Sequence, residues 1–386
     1  MSELPRRIGG LVLVLVALAL PLVLSDFWLQ TGLFVMATAI GAVGLTLLVG
    51  VAGQLSLGHA AFAGIGAYVY TWSTGESTTT VSGAGLPPVV GLVLAAAVSA
   101  LVGAAFSPVA GRLRGIYLGL ATLGLVFIVR HLLVNLDQWT GGFTGRSVES
   151  FALGGFSFSN KDPDYLAVAG VEFEGLHRLW YLFLVLTLVG CWLAGNLRSG
   201  RTGRAWANVR DSETAAAAMG IGVARAKASV FVVSSAYAGV AGAMLALAYG
   251  RIAPDVFGLT ASVDFLVMIV LGGLGSVGGA VVGALFVTAL PLVLAEYSGS
   301  LPFLAAPGSG GLDPATTARM VYGLAIIAVL LFLRGGLAGA ARRLRHRTSR
   351  TSPPSPAGPA PHDPISTDDV GRPAAVTPSR SKETTR

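Results

Sequence analysis

Long runs of hydrophobic residues, separated by short polar segments, dominate this 386-residue chain. A helix needs roughly 20 apolar residues to cross the hydrocarbon core of a bilayer. The chain contains ten apolar segments, several of which are too short to cross unbroken. They cover residues 8–25, 32–50, 60–72, 86–107, 115–134, 179–197, 228–249, 263–276, 279–295 and 318–333. The pattern predicts an all-α, polytopic membrane protein with about ten transmembrane helices, some of them short or broken.

The composition supports this class, because 53% of the residues are hydrophobic and only 12% are charged, against about 25% charged in soluble domains. The net charge of +7 does not indicate nucleic-acid binding, because the arginines cluster in short segments beside the apolar runs. Such clustering is typical of cytoplasmic loops in a membrane protein. We therefore expect membrane lipid, and no nucleic acid, around this chain.

The basic clusters also predict the topology. They are Arg6 and Arg7, then Arg112 and Arg114, then residues 198–210, and finally residues 342–347. All can be cytoplasmic if ten crossings separate two cytoplasmic termini. The amino-terminal apolar stretch lacks a small-residue cleavage pattern at Val23-Leu24-Ser25, so we expect a retained helix rather than a secretory signal. We expect the chain in the cytoplasmic (inner) membrane of a bacterium.

Three parts of the chain follow from this topology. Residues 1–345 form the predicted transmembrane permease domain, and residues 135–178 form an extracytoplasmic loop within it. Residues 346–386 are rich in Pro, Ser and Thr with few large apolar side chains. Such a segment cannot bury enough surface to offset its chain entropy, so we expect a disordered cytoplasmic tail.

Two glycine-rich interruptions carry polar side chains into apolar segments. "GQLSLGHAAFAG", residues 53–64, holds Gln54, Ser56 and His59, and "GGLGSVGGAVVGALF", residues 272–286, holds Ser276. Paired interruptions of this kind are typical of transporters, where broken helices line a pathway near the middle of the membrane. We nominate these four residues for the substrate pathway. Two interpretations remain open, because His59 also fits a hydrogen bond across a helix pair, and Gln54 and Ser56 also fit caps of a broken helix.

Asp264 is a weaker pathway candidate. It starts the eighth apolar segment, where a solvated acid at a helix start is a simpler account. Glycines spaced by four residues favour close helix packing in lipid. The residues to which we assign this role are Gly64, Gly275, Gly279 and Gly283.

The stretch "GRAWANVRDSETAAAAMGIGVARAK", residues 203–227, predicts a short helix on the cytoplasmic side, about residues 212–219. Asp211 is suited to the N-cap with Glu213 in the first turn, alanines 215–218 favour helix, and Gly220 is placed to end it. The helix is too short to span a membrane. From these residues alone, a helix within a loop is the favoured interpretation, ahead of a docking element.

An acid followed by alanines and then a glycine in such a loop resembles the coupling helix of ATP-binding-cassette importer permeases. Six blocks, in order from about residue 32 to 340, resemble the branched-chain amino acid permeases of the LivM kind. They are "GQLSLGHAAFAGIGAY", "LRGIYLGLATLGLVFIVRHL", "TGG" at 140–142, "GRAWANVRDSETAAAAMGI", "FLVMIVLGGLGSVGGAVVGA" and "YGLAIIAVLLFLRGGLAG". Two departures are the absence of a proline beside the arginine in "LRGGLAG", residues 333–339, and the extra tail.

The resemblance implies a heteromeric importer of branched-chain amino acids. Its other parts are a second related permease subunit, two cytoplasmic ATPases and an extracytoplasmic substrate-binding protein. The residues matched to the coupling motif are Arg210, Asp211, Glu213, Ala216, Met219 and Gly220. Because the chain has no G-x-x-x-x-G-K-[ST] loop, we expect ATP with magnesium to be used by the partner subunits and no cofactor to be bound here.

Other functions remain as alternatives. Permeases for urea and other small amides look similar, and an ion-coupled secondary transporter also uses broken helices. An intramembrane enzyme needs a positioned nucleophile or a metal cluster, and neither H-E-x-x-H nor G-x-S-x-G occurs in the chain. We therefore expect a transporter subunit with no catalytic residues and no metal site.

Overall fold

The computed structural model describes residues 14–153, 156–158, 166–168, 171–297 and 314–332, with residues 337 and 339. The described chain is predominantly helical, as expected. A helical segment at 14–19 and a 3-10 turn at Leu20–Leu22 precede the main helices. The helices are α1 (Asp26–Leu45), α2 (His59–Thr74), α3 (Pro88–Arg112), α4 (Ile116–Asn135), α5 (Asp137–Thr140), α6 (Gly175–Ser199), α7 (Arg201–Asp211), α8 (Glu213–Ala218), α9 (Val223–Tyr249), α10 (Leu259–Gly272), α11 (Val277–Glu296) and α12 (Pro314–Phe332).

Within the described residues, six helices are long and apolar enough to cross a membrane, so the expected count of about ten is not confirmed. Five of the six are α3, α4, α6, α9 and α11, and the sixth is α1 with the π-turn Thr46–Val51 that extends it. Each of the nine apolar segments after the first overlaps a helix. Part of the first segment, and the whole tail 346–386, lie outside the described residues.

Two of the overlapping helices are too short to cross. At 1.5 Å per residue, the 16 residues of α2 and the 14 residues of α10 extend about 24 Å and about 21 Å, less than the ~30 Å of a bilayer core. Both helices begin inside the bundle, and their first turns lie side by side. There the Ala60 backbone N–H donates to Ser262 Oγ at 3.2 Å. From this level the two helices run in opposite directions.

Helix α9 lies at the centre and packs against α1, α2 and α3. Its contact with α2 combines an edge-to-face pair of Phe231 with Phe62 and direct contact of backbone atoms. A Cβ on Gly66 would overlap the Gly239 carbonyl, and a Cβ on Gly242 would overlap the Ala63 carbonyl. Such close approach is what holds helices together where lipid supplies no hydrophobic drive between them.

The loops gather at two ends of the bundle. The arginine-rich end comprises residues 112–115 and 198–227, which meet where the Arg114 guanidinium pairs with Glu213 at 2.7 Å. The strand-bearing end comprises the described residues of 75–87, 136–174 and 250–258. Its antiparallel strand pairs are β1 (Arg146–Ser147) with β6 (Arg251–Ile252), β2 (Ala152–Leu153) with β3 (Phe156–Ser157), and β4 (Leu166–Val168) with β5 (Val171–Phe173).

Arg146 ties the loops of the strand-bearing end together. Its Nη1 donates to the carbonyl oxygens of Ser82 at 2.5 Å and Trp139 at 3.1 Å. Burial lowers the pKa of this guanidinium, and the nearby Glu149 carboxylate raises it. Part of the predicted extracytoplasmic loop 135–178 is thus anchored to the loop that follows α2.

Candidate functional site

The first glycine-rich interruption is a real break between α1 and α2. Helix α1 passes into the π-turn Thr46–Val51, and residues 53–56 are not helical. Gly53 has φ +69°, and a Cβ there would overlap the Arg210 side chain. Only glycine adopts this conformation readily and leaves that space. The break therefore depends on Gly53 and lies against the arginine-rich end.

All three polar side chains of the first break are buried. Gln54 Nε2 donates to the Lys227 carbonyl at 3.4 Å, and its Oε1 has no hydrogen-bond partner among the described residues. Ser56 Oγ accepts from the Gly58 N–H at 3.3 Å. His59 Nε2 donates to the Gly41 carbonyl at 2.8 Å, and its ring meets Phe265 edge-on. Protein encloses these groups in this conformation.

The second interruption is also a break. Helix α10 ends at Gly272, and Gly273 and Gly275 have φ of +110° and +76°. Ser276 caps α11, because its Oγ accepts from the Gly279 N–H at 3.1 Å. A Cβ on Gly283 would overlap the Met268 carbonyl, so α10 and α11 pack back to back with almost no space between them.

Gly272 packs in the same way against the carbonyl of Gly279. Gly64 is in looser contact, since a Cβ there would lie 3.1 Å from Cβ of Phe257. Of the four glycines to which the sequence assigned helix packing, Gly279 and Gly283 lie where α10 and α11 meet, Gly64 lies against Phe257, and Gly275 lies in the break itself.

The two breaks touch each other and the arginine-rich end. A Cβ on Gly50, in the π-turn, would overlap the backbone nitrogen of Gly275. The Gly50 carbonyl accepts from Arg210 Nη1 at 3.0 Å. Arg210 thus contacts the first break directly, and it is connected to the second break through Gly50.

Asp264 lies elsewhere. The sequence placed it at the start of a helix, but α10 begins five residues earlier, at Leu259, so Asp264 is half-buried in the second turn. The apolar pattern misplaced the helix start because residues 260–262 are Thr, Ala and Ser.

The predicted short helix exists as α8, with different caps. Ser212, not Asp211, is the N-cap, and its Oγ accepts from the Ala215 N–H at 3.2 Å. Asp211 instead ends the preceding helix α7, and its carboxylate pairs with Arg210 at 2.9 Å. Expecting the N-cap at Asp211 was wrong, because α7 continues to that residue.

The carboxyl end of α8 is closed as predicted, at Gly220. The Ile221 N–H bonds to the Ala216 carbonyl and the Gly220 N–H to the Ala217 carbonyl, both at 3.0 Å, with Gly220 at φ +78°. These two bonds form a Schellman motif, which satisfies the last carbonyls of a helix. Helix α8 is therefore a short, fully capped unit of six residues.

One face of α8 is exposed and the other is held by the bundle. Ala216 is fully buried, whereas Ala215, Ala217, Ala218 and Gly220 are exposed and the Met219 side chain is 63% exposed. The exposed face consists of small residues with one flexible apolar side chain at its end. Such a surface suits a partner that binds through complementary shape and apolar contact rather than through charge.

Among the charged residues near α8, Glu213 and Lys227 are turned towards the bundle, whereas Arg114, Asp211 and Arg225 are exposed. Glu213 Oε1 pairs with Lys227 Nζ at 2.6 Å, and its Oε2 pairs with Arg114 Nη2 at 2.7 Å. The sequence analysis assigned no role to Lys227 or Arg114. The available signal was a lysine placed at the start of an apolar helix, where a solvated position is the usual expectation.

Two described cavities lie at the strand-bearing end. One of about 360 Å³ is lined by residues of α1, α6 and α9, including Gln30 and Leu179. The other, of about 640 Å³, is lined by polar groups of the loops, including Glu76, Asp137 and Arg251. Neither is lined by the nominated pathway residues, which are enclosed deeper in the bundle.

Comparison with known proteins finds permease proteins of transport systems. The chain is 33% identical to the high-affinity branched-chain amino acid transport system permease protein LivM of Salmonella typhimurium, over 71% of this chain and 65% of that protein. It is 30% identical to the protein of the same name from Escherichia coli, over 77% of this chain and 70% of that protein.

A more distant relative is the autoinducer 2 import system permease protein LsrC of Klebsiella pneumoniae. It is 28% identical over 58% of each chain. No solved structure matches this chain. The family model described as "Branched-chain amino acid transport system / permease component" matches residues 28–330, which include both breaks and α8. The chain is thus a membrane protein that belongs to the branched-chain amino acid permease family of ATP-binding-cassette transporters.

Proposed function

We propose that this chain is the membrane subunit of an ATP-driven importer of branched-chain amino acids, and that α8 is the element through which partner ATPases drive it. The observation that carries the proposal is the form of α8. It is a rigid, doubly capped helix whose outer face is exposed. Arg210, just before α8, contacts the first break, and Glu213, in its first turn, pairs with α9.

The proposed mechanism is a rigid-body movement. Closure of the ATPases on α8 moves the arginine-rich end as a unit, and the helix bundle then opens a pathway to alternate sides of the membrane. The two breaks are the proposed hinges, because they interrupt the helices. They also lie next to Arg210, since Gly50 contacts both Gly275 and the Arg210 side chain. When the breaks separate, Gln54, Ser56, His59 and Ser276, with Asp264 as a weaker candidate, become contacts for the substrate.

The proposed assembly contains a second related permease subunit, two cytoplasmic ATPases that use ATP and magnesium, and an extracytoplasmic binding protein. The arginine-rich end then faces the cytoplasm, as the excess of arginine there favours. The cargo needs a test separate from that of coupling, because one relative is named for autoinducer 2 import. An apolar wall with a few polar groups suits an aliphatic zwitterion.

The test of coupling uses Gly220, because Glu213 faces inward and its replacement also breaks internal ion pairs. A Cβ on Gly220 meets no described atom within 4 Å, so Gly220→Trp adds a bulky group at the exposed end of α8 only. We expect this variant to abolish leucine-stimulated ATP hydrolysis and leucine uptake by the reconstituted complex, while the permease still inserts into the membrane.

Gly220→Ala is the matched control, because it imposes the same strain at positive φ, about 1 kcal/mol, without the bulk. It should retain most of the coupling. Normal stimulation in Gly220→Trp would refute the role of α8. In the same wild-type complex, stimulation by urea but not by leucine would refute the cargo and leave the coupling intact.

A further inference from the structure

Lys227 is a buried cation in the first turns of α9. Its side chain is only 5% exposed, and its Nζ lies 2.6 Å from Glu213 Oε1 in the first turn of α8. The second oxygen of the same carboxylate pairs with Arg114, which is 73% exposed, at 2.7 Å. Each oxygen of Glu213 thus binds one cation, and the three residues connect the segment before α4, helix α8 and helix α9.

A buried ion pair is not an efficient way to stabilise a fold. Removing charges from water is unfavourable, more for the buried Lys227 than for Glu213, whose side chain is 24% exposed, and well-packed apolar residues often do as well or better. What such a pair does supply is a short, directional connection that breaks unfavourably if one partner is lost. The position of this pair is therefore the informative feature.

The pair joins the short, exposed helix α8 to the most central helix, α9. Helix α9 packs against α1, α2 and α3, so a displacement of α9 changes its packing against all three helices. The carbonyl of Lys227 also accepts from Gln54 Nε2 at 3.4 Å, so the first break is attached at the same residue. The loop between α8 and α9, residues 219–222, includes Gly220 and Gly222 and is mostly exposed, and the N–H groups of residues 219–221 bond back to α8 rather than to α9.

We propose that the Glu213–Lys227 ion pair is the joint that transmits movement of α8 to α9, with Lys227 as a positioning residue. This inference rests on the proposed function of α8 as the coupling element. Arg114 holds the other oxygen of the carboxylate, so it fixes the orientation of Glu213 towards Lys227. Without the pair, α8 moves with the ATPases while α9 and the first break stay in place.

The test measures leucine-stimulated and basal ATP hydrolysis of the complete reconstituted complex, with leucine-loaded binding protein as the stimulus. The variants are Lys227→Met, which keeps the length and apolar stem of the side chain, and the exchanged pair Glu213→Lys with Lys227→Glu, made together with Arg114→Glu so that both ion pairs of position 213 are reversed. We expect Lys227→Met to assemble, to keep basal hydrolysis and to lose stimulation about fivefold or more. The exchanged pair should recover stimulation.

Arg130→Met is the matched control, because it removes another ion pair of a spanning helix, Arg130 with Asp255, at the strand-bearing end. Its stimulation should equal that of the wild type. If Lys227→Met shows wild-type stimulation, the proposal that the ion pair transmits movement is wrong. If Gly220→Trp is uncoupled in the same assay, the proposed function still stands, and if Gly220→Trp is coupled too, the proposed function itself fails.

If Lys227→Met fails to assemble, the exchanged pair tests the proposal in its place. An exchanged pair that assembles and responds to leucine supports the joint. An exchanged pair that does not assemble, or that assembles without responding, overturns it.

Discussion

At the scale of single residues, the buried polar groups of the first break are held by backbone atoms. Gln54 and His59 donate to carbonyls of α9 and α1, and Ser56 accepts an N–H two residues along the chain. These bonds explain how most of the polar atoms are tolerated within the bundle, since an unpaired polar group there is costly; Gln54 Oε1 is the atom of the three side chains left without a partner among the described residues. They also link the break to the two helices beside it.

His59 gives a test of the pathway at this scale. The Nε2–H bond to Gly41 is worth about 1 kcal/mol in a membrane bundle, too little to abolish folding. We expect His59→Ala to assemble normally and to lower leucine uptake per assembled complex severalfold, because a substrate contact is lost. The exposed His131 on α4 is the control, and His131→Ala should transport normally. Uptake at the wild-type rate in His59→Ala would leave His59 as a packing residue.

The sequence identified these polar residues, and the glycines of both breaks, from their contrast with apolar surroundings. It did not identify Lys227 or Arg210 as neighbours of the first break. Those contacts span 173 and 160 residues of sequence. Pairings over such separations depend on how helices pack in three dimensions, and no local pattern records them.

At the scale of elements, α8 was predicted because alanines and a terminal glycine are strong local signals. Its N-cap was misplaced because Asp211 and Ser212 are adjacent and both are good caps. Helix α7 was not predicted at all, since its sequence is basic and polar, yet it buries Trp206 and Val209. That indole N–H donates to Ser229 Oγ at 2.9 Å, a contact with α9 that the sequence does not reveal.

The cap of α8 can be tested directly. Ser212→Ala removes the oxygen that accepts from Ala215 N–H, which should destabilise the helix by about 1 kcal/mol, or about fivefold in its opening equilibrium. We expect hydrogen exchange of the 213–219 amides to accelerate by about that factor in the membrane-reconstituted permease, measured by mass spectrometry. Ser212→Thr keeps the oxygen and should exchange like the wild type. Equal exchange in Ser212→Ala would contradict the capping role.

At the scale of the whole molecule, the order of the helices was predictable, whereas the expected count of about ten crossings is not confirmed within the described residues. An apolar segment predicts burial in the membrane, but α2 and α10 are apolar because they lie inside the bundle rather than because they span it. The breaks at residues 53–58 and 273–276 stop them short. Composition alone cannot distinguish these two reasons for being apolar.

The orientation of the molecule can be measured with single cysteines in a Cys191→Ser background. Thr80 and Thr214 are exposed at opposite ends of the bundle. With the arginine-rich end in the cytoplasm, a membrane-impermeant maleimide should label Thr80→Cys in intact cells, and should label Thr214→Cys only in inverted vesicles. Detergent-solubilised protein should label at both positions. The reverse pattern would place α8 outside, where no ATPase can reach it.

The backbone contact between α2 and α9 has a consequence for how the bundle moves. At Gly66, Gly239 and Gly242 the two helices meet without interlocking side chains. Helices with interdigitated side chains must disengage them to slide, whereas a smooth glycine seam lets one helix shear along the other while dispersion contacts are kept. Shear along these glycines therefore meets little steric resistance, and the edge-to-face contact of Phe62 with Phe231 is the side-chain packing between the two helices that such a movement must rearrange.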